Sequence, residues 1–295
     1  MPADLEDLRR RLDEIDDRLQ DLLIDRFGIV LQVAAEKRDG QVAPHQPARE
    51  AEIIRRLVAR NRGALPNDTL VRIWRELLCG TTRLQGTFRI AVYAPAEEPG
   101  LWDIARDHYG SQAALQPHPS AGAVVRAVAE GQAEIGVLPM PQEEELDPWW
   151  LLLLSPGQQT PRVVSRLPFG GRGNARNGRA DALAIGRFAT QATGRDRTLF
   201  AGEIARDISR ARIFALLSSV GLEGTFLALC DRSGVADVLI ELRGSVALTD
   251  PRLLRFREQL GAELYRLSEF GGYAEPLHLG ASAARPAAEP VAARG

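Results

Sequence analysis

ADLEDLRRRLDEIDDRLQDLLIDRFGIVLQVAAEKR, residues 3–38, decides the fold. Its apolar residues fall at Leu5, Leu8, Leu12, Ile15, Leu19, Leu22, Leu23, Val30 and Val33. Residues three and four apart stack on one side of a helix, so this spacing predicts a single amphipathic helix. At 3.6 residues per turn it makes about ten turns. A helix that long is not expected to stand alone, and a coiled-coil or bundle dimer is its natural burial partner. Among its cations are Arg9, Arg26 and Lys37. Arg26 and Lys37 differ by roughly 20° in direction and roughly 16 Å along the axis. They share a face and can bracket a small dianion. Arg9 lies about 100° round from Arg26 and about 25 Å away. It cannot serve the same site from the same straight helix, and if it acts in catalysis it acts on a partner subunit's site.

Outward from this stretch, Asp39-Gly40 breaks the helix, and Pro44 and Pro47 hold the chain extended. A second helix is expected over 48–61, with Ile53, Ile54 and Leu57 inward and Arg49-Glu50 near its start. Pro66-Asn67-Asp68 opens a third helix, which runs to about Gln85 through Leu70, Ile73, Leu77, Leu78 and Leu84. Residues 1–86 therefore read as all-α. At Phe88 the period changes. Residues 89–93 read as a strand, 101–109 and 121–130 as helices and 135–138 as a strand, an α/β unit with a parallel sheet. The Gly/Arg-rich stretch 169–180 is expected to be a surface loop rather than an RNA-binding segment. Beyond it come strand 198–202, helix 209–220, strands 223–230 and 235–242, helix 251–260 and strand 263–267. That β-α-β-β-α-β order is the ferredoxin-like split unit. The expected architecture is multidomain: a helical unit at 1–86, an α/β domain at 87–192, a ferredoxin-like α+β domain at 193–280 and a disordered tail at 281–295.

The chain's 295 residues suffice for two or three cored domains. A net charge of -2 gives no electrostatic case for nucleic acid or an anionic membrane. Two distant cysteines, Cys79 and Cys230, make no disulfide framework or zinc cluster, so a reducing cytoplasm fits. His45, His108, His118 and His278 show no metal-ligand spacing, and no metal or cofactor is expected. His108 and His118 read as surface loop residues, and Trp149-Trp150 as a packing anchor. The run Trp149–Leu154 is too short to span a bilayer.

The polar positions of the first 86 residues resemble the all-helical chorismate mutase family across all three helices. On that resemblance, Arg9 is the arginine that enters the neighbouring subunit's site, Arg26 the in-site arginine and Lys37 the in-site lysine. Arg49-Glu50 corresponds to the pair opening helix two, Gln85 to the helix-three glutamine and Thr81 to a small hydroxyl position one turn earlier. Gln46 stands where the family commonly has aspartate, a site expected to use its backbone N–H. The remainder resembles a truncated prephenate dehydratase followed by an ACT-type regulatory domain. Residues 91–95 resemble the opening strand and turn, and 127–139 the helix and strand before a Glu-Asn-Ser motif. Here that motif is replaced by Pro141-Gln142-Glu143. The Thr-Arg-Phe motif aligns on Ala180-Asp181-Ala182 and the Gly-Ala-Leu motif on Ile208-Ser209-Arg210. Much of the family's second lobe has no counterpart between Glu143 and Leu183. Dehydratase chemistry and phenylalanine sensing are not expected.

The resemblance implies conversion of chorismate to prephenate, a pericyclic rearrangement of a dianion that needs no nucleophile, metal or redox group. The enzyme has to hold two carboxylates, which guanidinium forks do with parallel hydrogen bonds. Arg26 and the partner's own copy of the helix-one arginine take the carboxylates, with Arg49, Gln46 and Thr81 completing the binding set. Lys37 and Gln85 donate to the ether oxygen as charge grows there. Glu50 accepts from the ring hydroxyl. The expected partners are chorismate and prephenate, a second copy of the chain and a further enzyme of aromatic amino-acid synthesis docking on the C-terminal region. Two alternatives stand beside this reading: a bifunctional chorismate mutase–prephenate dehydratase, and a non-catalytic dimeric scaffold or regulator.

Overall fold

The computed structural model describes residues 4–36, 45–143, 145, 147–154, 160–171, 173, 175–176, 181–232 and 234–279. Lys37, the Asp39-Gly40 break, Pro44, Ala180 and the tail from Ala281 lie outside them. The helical unit holds α1 (Leu5–Glu36), α2 (Pro47–Arg60) and α3 (Asn67–Gln85). Proline opens α2 at its first position, where a missing N–H costs no intrahelical bond. Helices α2 and α3 bury Ala51, Ile54, Val71 and Leu78, whereas α1 buries no residue at all within the single chain. The apolar stripe of α1, from Leu5 and Leu8 through Leu19 to Val33, stands open to solvent.

Among the described residues, the rest of the chain builds one nine-stranded sheet. Its strands are β1 (Arg89–Tyr93), β2 (Ala114–His118), β3 (Ile135–Pro139), β4 (Arg162–Leu167), β5 (Ala182–Gly186), β6 (Asp196–Ala205), β7 (Gly224–Arg232), β8 (Val235–Arg243) and β9 (Leu264–Ala274). The order across the sheet is β2-β1-β3-β5-β4-β9-β6-β8-β7. Strand β1 pairs in parallel with β2 and β3, as the crossover helices α4 (Gly100–Tyr109) and α5 (Ala121–Ala129) require. Strand β5 then joins β3 antiparallel, and β4 pairs antiparallel with β5. The expected parallel sheet is thus a mixed one, because the connection after β3 is not a crossover helix. It holds a 3-10 turn, Trp149–Leu154, with Trp149 and Trp150 fully buried as anchors.

The second half, β6-α6-β7-β8-α7-β9, uses α6 (Arg210–Ser219) and α7 (Pro251–Leu260) and has the ferredoxin-like order β9-β6-β8-β7, all antiparallel. Side-chain caps start its helices: Ser209 accepts from the Arg212 N–H at 3.2 Å and Asp250 from the Arg252 N–H at 2.8 Å. Between the two halves β4 pairs in parallel with β9, Val163 on Gly271. Gly271 has φ +120°, and a Cβ there would fall 2.6 Å from the Val163 nitrogen. Only glycine lets the strands approach at that point.

The helical unit docks on the sheet through a cluster of Ala51, Ile54, Val71, Leu78 and Phe169. Phe169 opens the Gly/Arg-rich stretch that was expected on the surface, yet it is buried against α2 and α3. Arg176 of the same stretch is tied to Asp103 by a nitrogen at 2.8 Å. His108 also departs from expectation. It lies on the inner face of α4 and is buried rather than in a surface loop. His118 is half-buried in β2.

Candidate functional site

Helix α1 packs on α3. The Arg26 guanidinium lies over the Trp74 ring, 5.2 Å from its centroid. The Phe27 ring closes on Gly80, where an added Cβ would stand 3.4 Å from the ring. Burial pulls the Arg26 pKa down from its ordinary value, and its Nη1 is buried with no hydrogen-bond partner among the described residues. A desolvated guanidinium N–H without an acceptor is costly unless an anion completes it.

Thr81 and Gln85 lie seven and eleven positions beyond Trp74, which returns both to within roughly 20° of the Trp74 direction. The face of α3 that meets Arg26 therefore carries both residues. Each is turned onto its own helix: the Thr81 hydroxyl donates to the Leu78 carbonyl at 2.8 Å, and the Gln85 amide to the Thr81 carbonyl at 3.2 Å. Arg75 is the next residue after Trp74, about 100° round, and it faces α2 instead. Its Nη1 donates to the Glu50 carboxylate at 2.9 Å, and the His45 ring Nδ1 meets the other Glu50 oxygen at 3.0 Å.

At the start of α2, Gln46 is the residue before the first turn, and its carbonyl accepts from the Glu50 N–H at 3.0 Å. Arg49 is exposed and donates to Glu52 at 3.1 Å. The chain thus gathers Arg26, Thr81 and Gln85 on the α1–α3 face, and Gln46, Arg49 and Glu50 at the start of α2. Glu50 touches the α3 residue next to the one under Arg26. Arg9 is exposed on α1, seventeen residues from Arg26 on an unbroken helix, and does not join them. Lys37 lies outside the described residues. Burial pushes the Cys79 thiol up to about 11, so it is no nucleophile at neutral pH. Trp74, Arg75 and His45 were not singled out in the sequence. Trp74 had a signal, its seven-residue spacing to Thr81. The Arg75–Glu50 and His45–Glu50 contacts had none.

A second polar cluster lines a cavity of about 590 Å³ beside β4, β9 and β6. Arg166 donates to Asp181 at 2.5 Å and to the Tyr273 hydroxyl at 3.2 Å, and that hydroxyl donates to Glu241. Arg197 donates to Glu275 at 2.6 Å. Asp181, in the position aligned with the dehydratase arginine, is therefore bound to an arginine of this chain. Among the described residues, no group of three or more His, Cys, Asp or Glu is placed to hold a metal ion, and no helix is long and apolar enough to cross a membrane.

Residues 8–86 match the family model for chorismate mutase type II. That span covers α1 to α3 and the face that carries Arg26, Thr81 and Gln85. A bifunctional chorismate mutase/prephenate dehydratase of Stutzerimonas stutzeri is 28% identical over 146 residues, which are 48% of this chain and 40% of that protein. The Pseudomonas aeruginosa protein of the same name is 29% identical over 147 residues, 48% of this chain and 40% of its own. The chain thus spans about two fifths of the length of these curated relatives. A prephenate dehydratase structure from Streptococcus mutans superimposes with a TM-score of 0.43 at 14% identity, over 64% of this chain and 99% of that one. A score under 0.5 does not bear on what the sheet does.

Proposed function

We propose that the chain is a chorismate mutase, acting as a homodimer. The observation that carries the reading is Arg26, held over Trp74 with a buried, unpartnered Nη1 on the face shared with Thr81 and Gln85. A carboxylate is the natural complement of that group. Chorismate presents two. Arg26 takes one from within the chain, and Arg9 of a second copy takes the other. The open stripe of α1 supports that assembly, because a 32-residue helix with no buried residue needs a second apolar face. Holding both carboxylates fixes the folded, diaxial substrate, and positioning of this kind is worth several kcal/mol of barrier.

As the C–O bond breaks, charge grows on the ether oxygen. Gln85 turns its amide from the Thr81 carbonyl to that oxygen, and Lys37 supplies the second donor. One well-aimed donor contributes about 3 kcal/mol. Glu50 accepts from the ring hydroxyl, and Arg49 and Gln46 close the α2 side. No dehydratase step is assigned to the sheet, in keeping with the Asp181–Arg166 pair where that chemistry would need a free arginine. The chain is read as four segments, 1–86, 87–192, 193–280 and 281–295, with the third an ACT-like unit. Two free cysteines fit a cytoplasmic setting. The test is disappearance of chorismate with purified protein. Turnover in the wild type and its loss in Arg26→Ala is the expected result; a wild type without turnover overturns the reading.

A further inference from the structure

Glu50 belongs to the helical unit, yet what holds its carboxylate is anchored in the sheet region. One oxygen accepts from His45 Nδ1 at 3.0 Å and the other from Arg75 Nη1 at 2.9 Å. An ionised carboxylate only accepts, so His45 carries its proton on Nδ1. His45 is 3% and Arg75 4% exposed. The Arg75 guanidinium lies 5.3 Å over the Phe169 ring. The His45 ring packs on Phe88 at 5.1 Å, Tyr109 at 5.6 Å and Phe188 at 6.1 Å. All four aromatic rings lie beyond the helical unit, in the part of the chain that builds the sheet.

We propose that Arg75 and His45 are positioning residues for Glu50, and that the sheet region, through the rings that clamp them, is a built part of the mutase site. The inference rests on the mutase reading. A glutamate side chain has several rotamers, and fixing it costs conformational entropy that a substrate hydrogen bond would otherwise have to meet. Two buried donors, one per oxygen, fix the plane of the carboxylate before substrate arrives and leave each oxygen a lone pair for the ring hydroxyl. Neither donor needs to touch the substrate. The charged and titratable groups around Glu50 are His45 ahead of α2, Arg75 and Cys79 on α3 and Tyr109 on α4, with His108 facing Arg75 and His45. Burial alone pushes the Glu50 carboxyl up, and the charges and hydrogen bonds of His45 and Arg75 more than offset it. Without Arg75 the carboxyl titrates at higher pH.

The test is kcat and KM for chorismate across pH, on the full chain, for wild type, Arg75→Met and Arg75→Lys. Methionine keeps the stem on Phe169 and removes the donor; lysine keeps the charge without the fork. Arg75→Met is expected to lower kcat about tenfold or more and to change KM less than about threefold. Its acid limb is expected to move up by about one pH unit or more, with Arg75→Lys restoring part of both. If Arg75→Met does not fold, judged by circular dichroism, His45→Phe gives the same readout, since it fills the ring cluster and removes one donor. A folded variant with wild-type kcat and acid limb overturns this inference and leaves the mutase reading standing. A wild type that does not turn over chorismate overturns that reading and this inference with it.

Discussion

Mixing two inactive variants separates a site shared between chains from a site within one. Arg9 and Arg26 lie on one unbroken helix, seventeen residues and about 25 Å apart, so a single small dianion cannot bridge them within a chain. Each arginine is assigned one carboxylate. A hydrogen bond to a charged group is worth about 1.5–3 kcal/mol, and a guanidinium fork makes two. Loss of either arginine is therefore expected to remove about 3–5 kcal/mol, or more than a hundredfold at 1.36 kcal/mol per decade. Arg9→Ala and Arg26→Ala are each expected below about 1% of wild-type turnover. In a two-fold dimer of one chain of each kind, one site keeps both arginines and the other loses both. Equal amounts reassorted at random give half mixed dimers with one intact site in two, so about one quarter of wild-type activity returns. The assay is chorismate disappearance after joint unfolding and refolding, with exchange confirmed by native mass spectrometry. Had Arg9 served its own chain's site, every site would lack one arginine. Activity that stays at background in exchanged dimers refutes the shared site.

Other perturbations follow from the same geometry. Leu12 and Leu19 are 59% and 52% exposed in the single chain, so a partner's cover is worth about 1–1.5 kcal/mol at each. Leu12→Ala with Leu19→Ala, counted on both copies, is expected to weaken dimerisation by about 4–6 kcal/mol, three decades or more in Kd by sedimentation velocity. Burial, then the Arg75 and His45 charges, hold His108 well below 6.5. The unfolded chain therefore binds the extra proton. The stabilisation is complete above pH 6.5 and falls, by up to about 1.4 kcal/mol per pH unit, as pH drops below 6.5 toward the folded value. Chemical denaturation across pH is expected to show that slope in the wild type and lose it in His108→Gln. Gly271→Ala meets the Val163 backbone and strains a φ of +120°, and is expected to cost about 3 kcal/mol or more in thermal unfolding. Gly194→Ala, also at positive φ but with nothing within 4 Å of its Cβ, is expected to cost about 1 kcal/mol.

Local periodicity made much of this fold legible. The apolar spacing of α1 and the Pro66-Asn67-Asp68 start of α3 are signals carried by a few neighbouring residues. The strands that were missed lack such signals. Pro117 interrupts β2, which tolerates it as an edge strand. Strands β4 and β5 are short, separated by Gly/Arg-rich sequence, and stabilised by partners far along the chain. His108 was misplaced because it follows the charged pair Arg106-Asp107 in sequence, while its helix face is set by the sheet beneath it. The site divides in the same way. Arg26, Thr81 and Gln85 are placed by spacing along two helices. The Arg75–Glu50 pair joins residues 25 apart, and its clamp joins residues farther still.

The three helices commit their two faces to different surfaces, and this links the site to both. Helices α2 and α3 bury Ile54, Val71 and Leu78 on the sheet at Phe169, and that contact also carries the Glu50 pair. Helix α1 sets Arg26 and Phe27 on α3 and leaves most of its leucines open. On the proposed reading, a change in the sheet reaches the site through Glu50, and a change in the proposed dimer reaches it through Arg9. The first is expected to move kcat and its acid limb at any protein concentration. The second is expected to make turnover per chain fall on dilution. Kinetics across protein concentration in the Leu12 and Leu19 variant, set beside Arg75→Met, distinguish the two routes. If both variants lose activity in the same concentration-dependent way, Arg75 acts through assembly and not through Glu50.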